Sequence, residues 1–358
     1  MSNLAFDLYT ADGLQTAIKL LEAGEVIALP TDTVAGLVVT ANSPTAADKL
    51  SALKNSAPNK AYSWHIGSLQ ALQKSTPSLP AGIHPWLLEV LQKQSTVILP
   101  SSFFAIDKQL DWQHPQVGLR WPQNIDFQNV AKQIASPLFA TSINESGQQP
   151  LVGEEMIAWL EAREIPYAMQ LHDCPPTAKA SAVIEVFPQP KVLRGDADLD
   201  IAEHIGLSIL MLCTGNTCRS PLAVELLKAE IASSWQVKVD ALKDFGWNIE
   251  SAGTFAIEGQ EISENSRLVA AEIGIDLAGH RSQSLATASQ SDWDIVLGMS
   301  HNHLSALSAD TPAALFDLSG GEISDPFGGD SDCYRDTRQQ LKAAAQQWVR
   351  ELSSWPNA

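Results

Sequence analysis

Apolar residues in this chain fall into short runs and helical stripes separated by Gly, Pro and Asp, with no single period running from end to end. In the first half, Thr16-Ala-Ile-Lys-Leu-Leu-Glu22 reads as a short helix ended by Gly24. Val26-Ile-Ala-Leu29 then reads as a strand that runs into Pro30-Thr-Asp-Thr-Val-Ala-Gly-Leu37. Thr96–Leu99, Pro137–Thr141 and Ser181–Val186 give further apolar runs of strand length, and helical stretches lie between several of them. The spacing predicts a mixed α/β domain and nothing narrower.

The second half alternates more regularly. Strands are predicted at Leu207–Leu212, Trp247–Ser251, Trp293–Met299 and Ala313–Asp317. Between them lie helical patterns at Pro221–Ile231, at Ser263–Ile273 stopped by Gly274, and at Ser300–Leu307. A last helix from about Ser331 to Leu352 carries Tyr334, Leu341, Ala345, Trp348 and Leu352 on one stripe. This order predicts a parallel sheet flanked by helices. Arg194-Gly-Asp-Ala-Asp-Leu-Asp200 is acidic and glycine-bounded, so the expected division is a first domain at 1–197, a linker at 198–206 and a second domain at 207–358.

Composition changes this picture little. A length of 358 residues suits two ordinary domains, and 45% hydrophobic content is enough for two cores. No apolar run approaches the roughly 18 residues of a membrane span, and Met1-Ser-Asn-Leu lacks the basic start of a signal peptide. A cytoplasmic location is expected. The four cysteines, Cys174, Cys213, Cys218 and Cys333, form no dense framework and are read as reduced thiols. A formal charge of −18 argues against broad binding to nucleic acid, which depends on surplus Lys and Arg. Oligomeric state is not written in the pattern.

Chemistry concentrates at Cys213-Thr-Gly-Asn-Thr-Cys-Arg-Ser-Pro221, between the apolar run Ile209–Leu212 and the helix that follows. Backbone N–H groups at a helix start carry partial positive charge and have no partner inside the helix, so this turn suits a phosphate. Cys213 opens the loop and Arg219 closes it, an arrangement that favours thiolate over thiol and sets a nucleophile beside an anion cradle. Gly215 is expected to open the turn, Asn216 to brace it, Ser220 to stand near the sulfur, and Pro221 to occupy the first helical position. His301 and His303, with no third ligand beside them, are expected at the surface or at a helix start, and no metal is expected.

Together, this loop, Ser251-Ala-Gly-Thr254 and Asp325-Pro-Phe-Gly-Gly329 resemble the low-molecular-weight protein-tyrosine-phosphatase family over residues 207–353. The resemblance implies in-line attack by Cys213, with Arg219 and the loop residues Thr214, Gly215, Asn216, Thr217 and Cys218 around the phosphate. It further implies Asp325 as general acid and Ser220 as support for the departing thiolate. Taken alone, an Asp before Pro would be read as a turn residue. Thr217, where tyrosine-directed members carry a larger aliphatic residue, and Phe327, where Tyr is commoner, resemble the protein-arginine-phosphatase branch. Phosphoarginine proteins are therefore the expected partners, with phosphotyrosine as the alternative. Thioredoxin-coupled arsenate reductases share the loop but need two further cysteines, and none lies between Cys218 and Cys333.

In the first half, Pro30-Thr-Asp-Thr-Val, Gly36-Leu37, Lys54, Thr141-Ser-Ile-Asn-Glu-Ser-Gly147 and Val192-Leu-Arg194 resemble YrdC-like proteins, the threonylcarbamoyl-adenylate synthase family, over most of residues 12–197. That resemblance implies a twisted α/β sheet around a concave site that uses ATP with magnesium, bicarbonate and threonine in tRNA t6A modification. It implies Lys54, Ser142, Asn144 and Arg194 on the nucleotide side, and Thr33, His65, Arg120 and Ser181 near threonine and the carbamoyl group. Ala35, Ser56 and Lys93-Gln94-Ser95 depart from the family's Tyr, Arg and Pro-Gly-Pro. Two readings follow: a synthase, or a nucleotide- or threonine-binding module that regulates the phosphatase.

Overall fold

The computed structural model describes residues 4–41, 45–56, 62–106, 114–173, 179–188, 190–195 and 205–354. Cys174 and residues 198–204 of the expected linker lie outside them. The chain divides into two units, Met1–Leu79 with Pro85–Ala202, and Pro80–His84 with Glu203–Ala358. Ile205 is buried and Gly206 N–H donates to Phe245 O at 2.7 Å, so the second unit's own structure already includes the end of the expected linker.

The first unit is a mixed α/β domain around one ten-stranded sheet. Its strands are β1 (Ala5–Phe6), β2 (Ile27–Leu29), β3 (Gly36–Thr40), β4 (Ser63–His65), β5 (Ser95–Pro100), β6 (Gln116–Arg120), β7 (Leu138–Ser142), β8 (Tyr167–Ala168), β9 (Ala182–Glu185) and β10 (Lys191–Arg194). They lie in the order β1-β8-β2-β3-β7-β4-β6-β5-β9-β10. β3 pairs antiparallel with β7 through five residue pairs, Gly36 with Ser142 to Thr40 with Leu138. That pairing brings the segments after Pro30 and after Thr141 to the same end of the sheet. The helix predicted from Thr16 begins earlier, at Ala11, because Thr10 caps it by accepting from Gly13 N–H at 3.1 Å. Ala17 and Leu21 pack from this helix against Ile27, Leu29, Val38 and Phe127, and Gly24 leaves it at φ +73°.

The second unit carries a four-stranded parallel sheet, ordered β12-β11-β13-β14. Its strands are β11 (Ser208–Cys213), β12 (Asn248–Gly253), β13 (Ile295–Gly298) and β14 (Ala313–Leu315). Leu210 and Leu212 pack with Ala252, Ala288 and Val296 on one face, and the alternate residues Ile209 and Met211 are fully buried on the other. Burial on both faces is why this strand reads as an unbroken apolar run. A helix of 17 residues, Arg219–Trp235, leaves the loop after β11. It starts two residues before Pro221, which therefore occupies the third helical position and not the first. Proline is tolerated there because the N–H groups of the first turn have no intrahelical acceptor. The segment expected to be helical over Ser300–Leu307 is helical only over His301–Leu304. The last helix, Ser331–Leu352, buries Tyr334, Leu341, Ala345 and Trp348 as the stripe predicts, with Leu352 half-buried.

Candidate active site

β11 ends at Cys213 and the next helix begins at Arg219, so the five residues between them form a tight loop at the carboxyl end of the central strand. The left-handed residue of this loop is Asn216, at φ +54°, and not Gly215. Asparagine tolerates that conformation when its short polar side chain is engaged, and here it is engaged on every side. Fully buried, it donates from Nδ2 to Ser220 Oγ at 2.9 Å and to Ser251 Oγ at 2.8 Å. Its Oδ1 accepts from Gln283 N–H at 2.8 Å, and its carbonyl meets His280 Nε2 at 2.7 Å. A carbonyl only accepts, so His280 carries a proton on Nε2. Burial holds the pKa of His280 below the usual imidazole value, with Arg281 adding to that effect. Gly253 explains the Ser-Ala-Gly motif, since a Cβ there would lie 2.5 Å from Thr214 O and 2.9 Å from Asn216 N.

Cys213 Sγ is buried, 3.0 Å from Ser220 Oγ and 3.3 Å from Asn216 N, which donates to it. Both neighbours can donate to a sulfur anion. Arg219 is pinned from inside the fold by Ile323 O (3.2 Å) and Thr214 Oγ1 (3.3 Å), and it pairs with Asp325 Oδ2 at 2.6 Å. The guanidinium is 6% exposed and the carboxylate 49%, so the carboxylate is the partner with room to move. Asp325 Oδ1 also accepts from Phe327 N–H at 3.2 Å. The turn contact expected of an Asp before Pro is thus made by one oxygen, and the other faces Arg219.

Of the two places expected for His303, the surface or a helix start, it takes the second, in the helix His301–Leu304, and it is buried, with Nδ1 2.9 Å from Ser300 Oγ and Nε2 2.9 Å from Thr214 Oγ1. His301, two residues earlier, is exposed. Thr217 is half-buried, its hydroxyl 3.7 Å from Cys218 Sγ. Cys218 itself donates to Ser263 Oγ at 3.2 Å and lies 3.6 Å from Tyr334 OH. Burial and Cys218 push the phenol of Tyr334 up to about 12. Phe327 stands 79% exposed. Phe255 is 82% exposed and tied to the loop through its N–H to Thr214 O at 2.9 Å. Sequence reasoning passed over Phe255, and the available signal was a large apolar residue directly after Ser251-Ala-Gly-Thr254.

A second concave region lies in the first unit, a cavity of about 620 Å³. All eight residues expected to bind ligand there line it: Thr33, Lys54, His65, Arg120, Ser142, Asn144, Ser181 and Arg194. All but His65 fall into three hydrogen-bonded clusters. Lys54 Nζ donates to Ser142 O at 2.6 Å and Asn144 Oδ1 at 2.7 Å. Arg120 Nη2 donates to Asp32 Oδ1 at 2.6 Å and to Thr33 Oγ1 at 3.0 Å, while Arg120 Nη1 and Asp32 Oδ2 are buried with no partner. Arg194 donates to Ser181 O through Nε (3.1 Å) and Nη2 (3.0 Å), so the two residues assigned to opposite sides of the site are direct partners. Complete burial and the charge of Arg120 push His65 down to about 3, which leaves a neutral ring with Nδ1 on Ser63 O at 3.1 Å.

The departures from the family pattern have local accounts. Ser56 bonds Tyr62 OH at 3.1 Å, and that phenol in turn bonds Ser51 Oγ at 3.0 Å, so a hydroxyl cluster stands where the family pattern has a guanidinium. Gln94 takes a left-handed conformation, φ +58°, and its amide donates to Asp32 O at 2.9 Å.

Residues 208–355 match the family model described as low molecular weight phosphotyrosine protein phosphatase, and residues 19–195 match the Sua5/YciO/YrdC model, described as telomere recombination. The second domain is 36% identical to a protein-arginine-phosphatase of Geobacillus stearothermophilus over 156 residues, which is 41% of this chain and 96% of that protein. It is 32% identical to a protein-arginine-phosphatase of Bacillus subtilis, over 41% of this chain and 97% of that protein. It is 33% identical to AmsI of Erwinia amylovora, a probable low molecular weight protein-tyrosine-phosphatase, over 41% of this chain and 97% of that protein.

Proposed function

The chain belongs to the low molecular weight phosphotyrosine protein phosphatase family, its phosphatase domain fused to a YrdC-like domain, and on that premise we propose that it hydrolyses phosphoarginine in proteins through a phosphocysteine at Cys213. Cys213 Sγ attacks phosphorus as the phosphorus–nitrogen bond breaks, and Asp325 supplies the proton taken up by the departing guanidine. Arg219 exchanges its bond to Asp325 for the equatorial phosphate oxygens, which frees the carboxyl for this task. Water then attacks the phosphocysteine, Asp325 accepts its proton, and the thiolate leaves into the hydrogen bonds of Ser220 and Asn216. The observation that carries this sequence is the sulfur held at 3.0 Å from Ser220 Oγ and 3.3 Å from Asn216 N.

Thr217 and Phe327, together with similarity to two protein-arginine-phosphatases, support phosphoarginine over phosphotyrosine. A site shaped for a guanidine nitrogen discriminates by hydrogen bonding as well as by size. The test is kcat/KM for matched phosphoarginine and phosphotyrosine peptides, with Cys213→Ser as the blank. A phosphoarginine preference that Thr217→Ile moves toward phosphotyrosine supports the reading; a phosphotyrosine preference in the wild type returns the substrate to the wider family. A reducing compartment, the cytoplasm, suits a thiol nucleophile.

For the first domain the same reasoning supports binding of ATP and threonine with adenylate formation weakened or absent. Lys54 already spends two donors on Ser142 and Asn144, and Ser56 brings no positive charge to a triphosphate. The described lining holds Lys54, Arg120 and Arg194 and no carboxylate, so it fits an anion, and magnesium would be held by the triphosphate's own oxygens. Calorimetry with ATP and threonine, beside pyrophosphate release that requires threonine and bicarbonate, separates the cases. Binding without release, with a shift in phosphatase kinetics, supports a regulatory module. Full release supports a synthase, and absence of binding at millimolar ATP removes both.

A further inference from the structure

Arg219 holds the phosphate, yet the group it pairs with, Asp325, has to leave it for proton transfer. What then keeps the guanidinium in place is the pair of inner contacts, Ile323 O at 3.2 Å and Thr214 Oγ1 at 3.3 Å. The carbonyl is fixed by the backbone. The hydroxyl is not: a threonine rotor can turn its proton toward Arg219 and become a second donor facing a donor. Guanidinium nitrogens only donate, so Thr214 serves Arg219 only if its own proton is engaged elsewhere. The side chain within reach is His303, whose Nε2 lies 2.9 Å from Thr214 Oγ1.

We propose that His303 is a positioning residue for the phosphate-binding arginine: its neutral ring accepts the Thr214 proton at Nε2, so that the Thr214 oxygen is turned to Arg219. The proton of the neutral ring then sits on Nδ1, which donates to Ser300 Oγ at 2.9 Å. The chain of donors runs in one direction, from Arg219 to Thr214 to His303 to Ser300. The groups that act on the ring favour this state. Burial and the charge of Arg219 hold His303 below the usual imidazole range, and they outweigh the opposite pull of Asp325 and Glu322. A neutral relay also has an advantage over a carboxylate at the same place. It orients the arginine without adding a negative charge that would repel the incoming phosphate.

The inference rests on the phosphatase reading and is tested in the full chain with p-nitrophenyl phosphate as substrate and inorganic phosphate as competitive inhibitor. Four variants are compared with wild type: His303→Leu, His303→Gln, Thr214→Val and the Thr214→Val/His303→Leu double. Each single removal of the relay lowers kcat/KM by about ten-fold and weakens phosphate inhibition. Because both break one chain, the double loses no more than about ten-fold, and His303→Gln, which keeps an amide in place of the ring, recovers most of the loss. A double variant down by about a hundred-fold, a His303→Leu variant within about two-fold of wild type, or a Gln variant no better than Leu overturns the proposal. Thr214 is exposed, so the Thr214→Val arm reports even where the Leu variant folds poorly: a Val variant within about two-fold of wild type then overturns the proposal by itself. A wild-type chain inactive on this substrate sinks the phosphatase reading itself, a result distinct from all of these.

Discussion

Replacing Asn216 separates two things this residue does. Asn216→Gly keeps the left-handed backbone free of strain but removes three side-chain hydrogen bonds, to Ser220, Ser251 and Gln283. Each of the two serine oxygens loses a donor, a loss of about 0.5–1.5 kcal/mol each, while the Gln283 N–H is left without its acceptor at about 1–3 kcal/mol. Partial relaxation brings the expected loss to about 2–3 kcal/mol. Asn216→Ala loses the same bonds and must also hold a Cβ at φ +54°, which adds about 1 kcal/mol. If the loop has to be restored to this shape in each turnover, kcat/KM falls by about 30- to 150-fold in the Gly variant and several-fold further in the Ala variant. Steady-state turnover of p-nitrophenyl phosphate and hydrogen exchange of the amides around β11 measure the two effects separately. Equal activity of the Gly and Ala variants would refute the strain argument, and a Gly variant within about two-fold of wild type would refute the bracing argument.

Removal of the general acid, Asp325→Asn, should lower kcat on a phosphoarginine peptide by about 10²- to 10⁴-fold, and far less on p-nitrophenyl phosphate, whose leaving group needs little help from an acid. Equal losses on the two substrates would place Asp325 outside proton transfer. In the first domain His65 is held at about 3 against 6.5 in the unfolded chain, so the unfolded state binds the extra proton and stability falls as pH drops through that window. At about pH 5 the loss reaches about 2 kcal/mol, and His65→Gln should flatten it; hydrogen exchange in β3 and β7 at two pH values reads the difference, and an unchanged slope would contradict it. Lys54→Met, which takes a charged donor from Ser142 O and leaves Asn144 Oδ1 with Ser142 Oγ alone, should destabilise that domain by about 1–3 kcal/mol as well as weaken ATP binding. Loss of ATP binding with unchanged stability would show that Lys54 is not structurally committed in the way its bonds suggest.

The phosphate loop was legible because its chemistry occupies nine consecutive residues between an apolar strand and a helical stripe. Its mechanics were less so. Gly215 drew the expectation of an open turn, whereas the left-handed residue is its neighbour Asn216, and only the side-chain network from Ser251 and Gln283 explains that choice. His303 lies 89 positions from its partner Thr214, and nothing in its local pattern separates a buried relay from a surface histidine. Pro221 signalled the helix start correctly in kind but two residues late, since proline fits anywhere in the first turn. In the first domain the longer apolar runs found β2, β5, β7 and β9, while the short strands β1, β4 and β8 carry too few residues to show a period. The eight residues drawn from the resemblance meet in one cavity because β3 and β7 pair at the centre of the sheet, but the bonding of Ser181 to Arg194 depends on a ladder between β9 and β10 that single-residue matching does not reveal.

The proposed hydrolysis turns on Cys213 becoming covalently phosphorylated. Rapid acid quench of the full chain during turnover of a phosphorylated substrate, followed by peptide mass spectrometry, tests this directly. The expected result is one phosphate on the peptide that contains Cys213, formed in a burst and absent from Cys213→Ser under thiol-specific detection. Turnover without any phosphorylated Cys213, or phosphate trapped on another residue of the loop, would contradict it.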